Sequence, residues 1–504
     1  MEAWWTWWEH VGPRSKPSLS TQTGIFRRLV RDHMRPPPVR VAPSATVSEV
    51  VSLMTATPAS CAVVIDSAGR PRGIVTEQDV VRRIAWRTEP DQDVESVMTS
   101  PVVVTGADDY LFQAVALMRR SKLRHVPVVD WSGAMIGMLA LDEALASLSS
   151  ESMSLIEQLT HEESVEGLHL IKQAQAQLAS ALLENNVSAP EVQSLLTEIN
   201  NDIHRRVLRL VEAAMRDDGW GEPSARFALI IMGSGGRGEN FLAPDQDNGF
   251  ILADDVASQG KRADAYFLEL AERMTRMLDA VGFRLCIGDV MATNPLWRKS
   301  LSDWRRQIDS WIRRRESEML LNCDIFFDFR HAFGDPTLSS ELRTHVTAVA
   351  SEYPQFLRHL FAIEAEHKVA LGWFGRLRKE YHGEDRQGVV NLKLRGTLPL
   401  VEGARLLALK AGIPATSTLT RLDCLKEKGA ISAGDHEDLA DAFRHMTRLL
   451  LRQQLKDFKA GRKITNYVPV ADLSQRDNKH LVASFRAIEN LRATLNMEFA
   501  ERSL

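Results

Sequence analysis

The sequence has few cysteines and no long apolar run. Its four cysteines, Cys61, Cys286, Cys323 and Cys424, lie far apart along the chain. No pair therefore has the short spacing of a zinc or redox motif, and the pattern is typical of a reducing compartment. No apolar run approaches the roughly 20 residues that a membrane helix requires. We expect a cytoplasmic protein without a membrane segment or a secretory signal.

An excess of charge of either sign is also missing. The 504 residues include 62 basic and 66 acidic side chains, for a net charge of −4, and no basic surface with interleaved aromatic residues is visible. Both observations argue against a nucleic-acid partner. Apolar residues make up 44% of the chain, which is enough for two to four domains. The tryptophan-rich start, MEAWWTWWEH, favours a tail or short helix over residues 1–30, with docking to a partner or membrane interface as the alternative.

An internal repeat occupies residues 34–148. One copy contains CAVVIDSAGRPRGIVTEQD and the other HVPVVDWSGAMIGMLALDE, and each predicts a hairpin of two strands around a glycine turn, with a helix on either side. The repeat resembles a tandem pair of CBS domains, a β/α sensor module that we assign to residues 31–150. The resemblance implies an adenine-nucleotide ligand contacted by Thr76 and Asp79, and a homodimer formed through the pair. The second copy lacks the threonine, so one good ligand site is expected, and a purely structural pairing of Thr76 with Asp79 is the alternative.

The rest of the chain changes character twice. Residues 151–220 have helical apolar spacing with few breakers, and Pro190 after Ser188 predicts a helix start. We interpret this segment as a helical linker, with a packed helical hairpin as the alternative. Strands and helices alternate over residues 221–345, whereas residues 346–504 are nearly all helical in pattern. The expected fold is thus α/β plus α.

The stretch IMGSGGRGENFLAPDQDNGFIL, residues 231–252, predicts two buried strands joined by a glycine-rich turn. Gly233 and Ser234 follow the first strand, where exposed backbone N–H groups can hold a phosphate. Asp245 and Asp247 precede the second strand and point to the same side, because residues i and i+2 of an extended chain share a face. Paired carboxylates bind Mg²⁺ ions that also bind substrate phosphates, and two such ions suit a phosphoryl-type displacement.

This pattern resembles the DNA polymerase β superfamily of nucleotidyltransferases, which usually adds a third carboxylate on a later strand. In DIFFDFR that residue is Asp328, placed by the apolar pattern within a strand, with Asp324 as its rival. The superfamily usually has Thr or Ser where this chain has Pro244. Proline fixes only its own φ and leaves the carboxylates in place.

The longer strings GSGGRGENFLAPDQDN, GDVMATNPLWR and FFDFRHAFGD resemble the nucleotidyltransferases that follow CBS domains in bacterial signalling proteins, which are relatives of PII uridylyltransferase. The resemblance implies transfer of a nucleotidyl group from a nucleoside triphosphate to a hydroxyl of a protein acceptor, with uridylyl transfer to a PII-type acceptor as the finer expectation. Asp245, Asp247 and Asp328 would hold the metals, and Gly233 and Ser234 the phosphates.

Three cations are further candidates for the triphosphate, namely Arg237, Lys393 and Arg395. Lys393 and Arg395 could reach the triphosphate or the acceptor, and solvated charges at a helix start are the alternative for these two. No His-Asp dipeptide occurs, so the hydrolytic activity of the full uridylyltransferase is not predicted. Two other functions stay open. One is a CBS-based adenine-nucleotide sensor and scaffold without enzymatic activity, and the other is nucleotidyl transfer to a small molecule or an RNA end.

Overall fold

The structure is a computed structural model, and it describes residues 28–36, 39–57, 59–84, 88–109, 111–121, 123–146, 164–184, 186–255, 260–314, 325–364, 367–372, 377–381 and 388–499. The tryptophan-rich start, Cys323 and Asp324 lie outside these ranges. The chain divides into two compact units, Met1–Glu162 and Glu163–Leu504. Within the described ranges, no helix combines the length and the apolar character that crossing a bilayer requires.

The first unit contains two three-stranded sheets with the same topology. In each, the first strand pairs parallel with the second, and the second pairs antiparallel with the third. The strands are β1 Val39–Val41, β2 Cys61–Ile65, β3 Pro71–Thr76, β4 Thr105–Gly106, β5 His125–Val129 and β6 Met135–Ala140. The helices are α1 Val47–Ala56, α2 Leu111–Arg120 and α3 Leu141–Ala146. Gly69 and Gly133 turn the two predicted hairpins with φ of 75° and 82°.

The two copies pack into one module. Buried Cys61, Val63 and Ile74 of the first copy share a hydrophobic cluster with Met135 and Met138 of the second. Across the same boundary, the Ser60 hydroxyl and the imidazole Nε2 of His125 lie 2.9 Å apart. The predicted repeat is therefore confirmed, since the two copies have the same sheet topology and pack against each other.

The second unit begins with two helices, α4 Val165–Glu184 and α5 Ala189–Asp217. Ser188 caps α5 in a box with Glu191, as Pro190 predicted. The buried amine of Lys172 on α4 donates to Asn200 on α5 at 3.0 Å and to the carbonyl of Leu242 at 3.4 Å. These helices are thus a packed hairpin inside the second unit, which was the alternative to a separate linker.

A four-stranded sheet forms the centre of this unit, in the order β10-β7-β8-β9. Its strands are β7 Phe227–Ile231, β8 Asn248–Leu252, β9 Arg298–Ser300 and β10 Arg330–Gly334, and its helices are α6 Gly233–Arg237, α7 Gly260–Val281 and α8 Leu301–Arg314. Strands β7 and β8 and helix α7 were predicted from the sequence. Gly282, at φ 111°, ends α7. The hairpin of β7 and β8 is antiparallel, and Ile231 pairs with Asn248.

The remaining chain is mainly helical. The helices are α9 Pro336–Glu352, α10 Pro354–Glu364, α11 Leu398–Lys410, α12 Thr418–Glu427, α13 Ala433–Lys459 and α14 Gln475–Phe499, with a π-helical turn at Lys393–Thr397. A small antiparallel sheet of β11 Glu380–Tyr381, β12 Gly388–Asn391 and β13 Tyr467–Pro469 interrupts them. The nearly all-helical expectation missed this sheet because β12 and β13 are short and pair across most of the domain's sequence.

Candidate active site

The glycine turn after β7 lies against Asp247. Gly233 has φ 58°, a conformation that side chains other than glycine rarely adopt. A Cβ on Gly233 would lie 3.0 Å from Oδ2 of Asp247. The N–H of Met232 donates to the carbonyl of Asp247 at 2.9 Å. The structure thus brings together the turn and one of the two predicted carboxylates.

Both aspartates are held at the edge of the sheet by buried polar neighbours. Gln246 and Asn248 are fully buried; the N–H of Gln246 donates to the carbonyl of Arg284, and Oδ1 of Asn248 accepts from Ala292 at 3.0 Å. Asp245 itself is exposed, whereas Asp247 is half-buried. The alternation of buried and outward side chains directs both carboxylates away from the core.

Burial and the neighbouring groups shift the pKa of Asp247 in both directions. Burial raises the pKa of Asp247, and the charge of Asp245 raises it further, while a hydrogen bond from Cys286 and the charges of Lys393 and Arg237 lower it. The same neighbourhood raises the pKa of the Cys286 thiol to about 11, first through burial and then through the charge of Asp247. Nothing in the sequence around Cys286 indicates that its thiol lies against Asp247, since the cysteine stands alone and outside any motif. A bound cation would relieve the repulsion between the carboxylates.

Lys393 belongs to the same site although it comes 146 residues after Asp247 in the chain. It starts the π-helical turn after β12. Desolvation and the charge of Arg237 lower the pKa of its amine, whereas Asp245 and Asp247 act in the opposite direction. The structure therefore places this predicted cation beside the carboxylates. Arg395, on the same turn, instead pairs with Glu380 at 3.2 Å.

Asp328 does not complete a metal site with the other two carboxylates. It is fully buried and lies in the turn before β10, so its predicted position within a strand is wrong. Its Oδ1 accepts from Arg421 at 2.6 Å, and its Oδ2 accepts from Arg237 at 2.8 Å and from Arg405 at 2.9 Å. Arginines thus supply the partners that the sequence argument assigned to a metal. No group of three His, Cys, Asp or Glu side chains within the described ranges could share a metal ion.

The other predicted phosphate ligands are partly engaged inside the protein. The hydroxyl of Ser234 donates to Oδ1 of Asn240 at 3.1 Å, and Nε of Arg237 donates to Glu239 at 2.7 Å. A cavity of about 30 Å³ borders Ser234, Arg237 and Lys393. Small-molecule sites usually measure roughly 300 Å³ or more. In this conformation the three side chains therefore do not enclose a whole nucleotide.

Residues at and just before the start of α12 form hydrogen bonds to the glycine turn and to Glu239, which follows it. A Cβ on Gly236 would lie 1.7 Å from the carbonyl oxygen of Asp328, so only glycine fits there. The hydroxyl of Thr416 donates to the carbonyl of Gly236 at 2.9 Å, and the N–H of Thr418 donates to Glu239 at 2.7 Å. These supporting residues were missed in the sequence, because only the folded chain brings α12 to the turn.

In the CBS module, Thr76 and Asp79 bond to each other. Thr76 caps the helical turn Glu77–Asp79, and its hydroxyl donates to Oδ2 of Asp79 at 2.8 Å. The N–H of Asp79 donates back to the hydroxyl at 3.3 Å. This reciprocal capping is the structural pairing that was the alternative to ligand binding.

Comparison with protein families matches most of the chain in four segments. Residues 173–318 match "Putative nucleotidyltransferase DUF294", and residues 354–499 match "Putative nucleotidyltransferase substrate binding domain". Residues 30–85 and 94–150 each match the CBS domain. The first match contains the glycine turn and both aspartates, and the second contains Lys393, Arg405 and Arg421.

Individual relatives match much smaller parts of the chain. An uncharacterized 17.7 kDa protein of Acidianus ambivalens is 32% identical over 114 residues, which are 22% of this chain and 69% of that protein. The CBS domain-containing protein CBSCBSPB1 of Arabidopsis thaliana is 32% identical over 126 residues, which are 25% of this chain and 21% of that protein. Among solved structures, a CBS domain protein from Pyrobaculum aerophilum complexed with AMP is 27% identical and covers 26% of this chain and 98% of its own, with a TM-score of 0.23.

The family matches and the fold agree on the order of the parts: two CBS copies, an α/β domain with a glycine turn and a helical domain. The chain belongs to the CBS-domain proteins that carry the DUF294 nucleotidyltransferase domain and its substrate-binding domain.

Proposed function

We propose that the protein transfers a nucleoside monophosphate from a nucleoside triphosphate to an acceptor hydroxyl, with release of pyrophosphate. The observation that carries the proposal is the contact between the Gly233 turn and Asp247, where a Cβ would lie 3.0 Å from the carboxylate. A phosphate at the turn would be next to a carboxylate-bound cation. This is the arrangement that nucleotidyl transfer requires.

The donor set suits Mg²⁺. Asp245 and Asp247 supply hard oxygen ligands, and the raised pKa of Asp247 reflects in part its repulsion by Asp245, which a divalent cation would offset. When bound, the metal would supply charge neutralisation and orientation of the phosphates. Because Asp328 is surrounded by arginines, we assign the metal to these two aspartates, with remaining positions left to water and substrate oxygens.

The protein's own groups have separate tasks at this site. The backbone of Gly233 and Ser234 would bind the outer phosphates through N–H groups. Lys393 would bind a phosphate oxygen, and the charges of Asp245 and Asp247 favour the protonated form of its amine. Arg237 pairs with Glu239 through Nε and with Asp328 through one terminal nitrogen. Its positive charge would attract the phosphate, and its other terminal nitrogen would donate a hydrogen bond to it.

The acceptor and its regulation are further parts of the proposal. By resemblance to PII uridylyltransferase, we propose a protein acceptor and a uridylyl donor. An adenine nucleotide would bind the CBS pair near Thr76 and Asp79, and the pair would form a homodimer. A ligand changes activity only if it binds two states of the protein with different affinity, and a coupling of ~1–3 kcal/mol is ordinary. Removing residues 1–150 should then abolish the response to that nucleotide.

The experiment is transfer of label from each α-labelled triphosphate to a protein in cell lysate, with Mg²⁺ present. Asp245→Asn and Asp247→Asn should each lower transfer by ~10²-fold or more, as expected when an electrostatic partner of the transition state is lost. Asp254→Asn is the matched control, since it removes an aspartate that bonds Ser302 beyond the other end of β8. Transfer at the wild-type rate by Asp245→Asn or Asp247→Asn would disprove the assignment.

A second candidate is a nucleotide-binding scaffold without transferase activity. The observation in its favour is Asp328, whose carboxylate bonds three arginines and offers no third ligand. A scaffold should bind a triphosphate in a manner that depends on Asp247 and label no acceptor. Labelling that requires Asp247 rejects the scaffold.

A further inference from the structure

A cluster of arginines lines a cavity in the helical part of the second unit, away from Asp245 and Asp247. A cavity of about 460 Å³ lies between α13, the start of α14 and the start of α5. Its charged lining consists of four arginines, two histidines and two aspartates: Arg444, Arg448, Arg452, Arg476, His445, His480, Asp441 and Asp477. The volume falls in the range of roughly 300–1,000 Å³ that small-molecule sites occupy.

Three of these arginines form one row along α13. Arg444, Arg448 and Arg452 recur every four residues and therefore project from one face of the helix. Like charges at this spacing repel each other and destabilise a helix. Arg452 lies 3.5 Å from Asp477, whereas Arg444 and Arg448 form no ion pair within the described part of the chain.

The helix starts around the cavity favour an anion as well. Ser188 and Ala189, at the beginning of the 29-residue helix α5, line the cavity, and the start of a long helix carries partial positive charge. Arg476 lies in the first turn of α14, where a cation is disfavoured by that same partial charge. A bound anion would offset both effects.

Two histidines give the cavity a planar wall. The rings of His445 and His480 stack with centroids 3.9 Å apart and 20° between their planes. His480 bonds Asp441, and Nε2 of His445 lies 3.2 Å from the carbonyl of Asp477. Asp441 is thus engaged by His480, as Asp477 is by Arg452. With four arginines against two aspartates, the lining has a net charge of +2 before either histidine is protonated.

The neighbouring groove limits the size of the ligand. An adjoining cavity of about 630 Å³ shares two of the arginines. Its own cations are neutralised, since Lys456 pairs with Asp472 at 2.6 Å and Lys459 lies 3.6 Å from Glu184. The adjoining cavity therefore adds no unpaired cation beyond the arginines that it shares, which favours a compact ligand over an extended acidic chain.

We propose that this cavity binds a small molecule that carries two or more negative charges on phosphate groups. The arginines bind phosphate through paired N–H donors. The site is separate from the proposed transfer site, because none of Asp245, Asp247, Ser234 and Lys393 lines it. Inorganic pyrophosphate and a nucleoside triphosphate share this chemistry, and the triphosphate adds a base that the planar wall of histidines would accommodate.

The test is hydrogen exchange of the full chain with pyrophosphate, with ATP or with neither, in EDTA so that metal-dependent binding does not contribute. We expect slower exchange in residues 441–452 with pyrophosphate, with ATP or with both. Arg444→Gln/Arg448→Gln should weaken the affinity measured from this protection about tenfold or more, the usual loss for one charge-assisted hydrogen bond. Arg486→Gln is the matched control, an exposed arginine of α14 outside the cavity.

The outcomes separate the sources of the ligand. Protection by pyrophosphate shows that phosphate charge is sufficient, and protection by ATP alone shows that the nucleoside also contributes. The proposal is overturned if neither ligand protects residues 441–452, if sulfate protects them as well as pyrophosphate does, or if Arg444→Gln/Arg448→Gln retains wild-type affinity. Arg476→Gln, on the opposite wall, repeats the test should the double variant not fold.

Discussion

The buried ion cluster around Asp328 leads to a prediction that separates a structural role from a metal-binding role. Asp328→Asn removes the one carboxylate to which Arg237, Arg405 and Arg421 all donate, at 2.6–2.9 Å. Asp328, Arg405 and Arg421 are at most 2% exposed, so water cannot replace the lost charge. Removing one partner of a buried ion pair typically costs about 3–5 kcal/mol. We expect a loss of at least that size in the free energy of unfolding.

The assay is urea unfolding of the full chain, followed by tryptophan fluorescence, because Trp297, Trp304 and Trp311 are buried in the same unit. Glu341→Gln is the matched control; it breaks the pair with Arg305 at 2.9 Å, in which both side chains are exposed, and should cost ~1 kcal/mol or less. A metal-binding carboxylate would behave differently. Its loss would remove repulsion between neighbouring carboxylates and would leave the free energy of unfolding unchanged or higher. The reasoning is refuted if Asp328→Asn is no less stable than Glu341→Gln.

Three further predictions concern separate parts of the chain. Gly233→Ala should lower transfer far more than Gly412→Ala, because both residues have positive φ but only the first has a carboxylate 3.0 Å from the new Cβ; equal rates in the transfer assay would contradict this. Burial lowers the pKa of Lys172 to about 7. Its charged amine therefore destabilises the folded state by the full amount below pH 7, and this destabilisation decreases as the pH rises from 7 toward the pKa of lysine in the unfolded chain. The free energy of unfolding of wild type minus that of Lys172→Met should then increase by up to ~1.4 kcal/mol per pH unit above pH 7, measured by urea titration. Asp79→Ala should weaken AMP or ATP binding by calorimetry if the CBS site is used, and unchanged affinity would leave Asp79 with its capping role alone.

The sequence predicted best what depends on near neighbours in the chain. The CBS hairpins, β7, β8 and α7 follow from alternating or helical apolar spacing and from turn glycines such as Gly69 and Gly282. The contact between the glycine turn and Asp247 also follows, because an antiparallel hairpin places the residue before one strand beside the residue after the other. Local periodicity and hairpin geometry were therefore sufficient to predict the two strands and the turn that position Asp247.

The wrong prediction for Asp328 arose because its partners are distant in the sequence. A buried carboxylate needs a partner, and a metal ion was the partner predicted for Asp328 from the sequence. The actual partners Arg237, Arg421 and Arg405 are 91, 93 and 77 residues away in the chain, and an isolated arginine in a helix carries no local sign that it is buried. The same limit explains the missed sheet of β12 and β13, whose pairing is not local.

The ion cluster also bears on how the two family-matched domains act together. Arg405 and Arg421 come from the helical domain, the glycine turn comes from the nucleotidyltransferase domain, and Asp328 lies in the segment between the two family matches. The bond between Thr416 and the carbonyl of Gly236 joins them directly at the turn. Separating the domains would leave buried charges without partners, at a cost of several kcal/mol by the usual magnitude. Any conformational change that accompanies the proposed transfer is therefore expected to preserve this contact between the helical domain and the glycine turn.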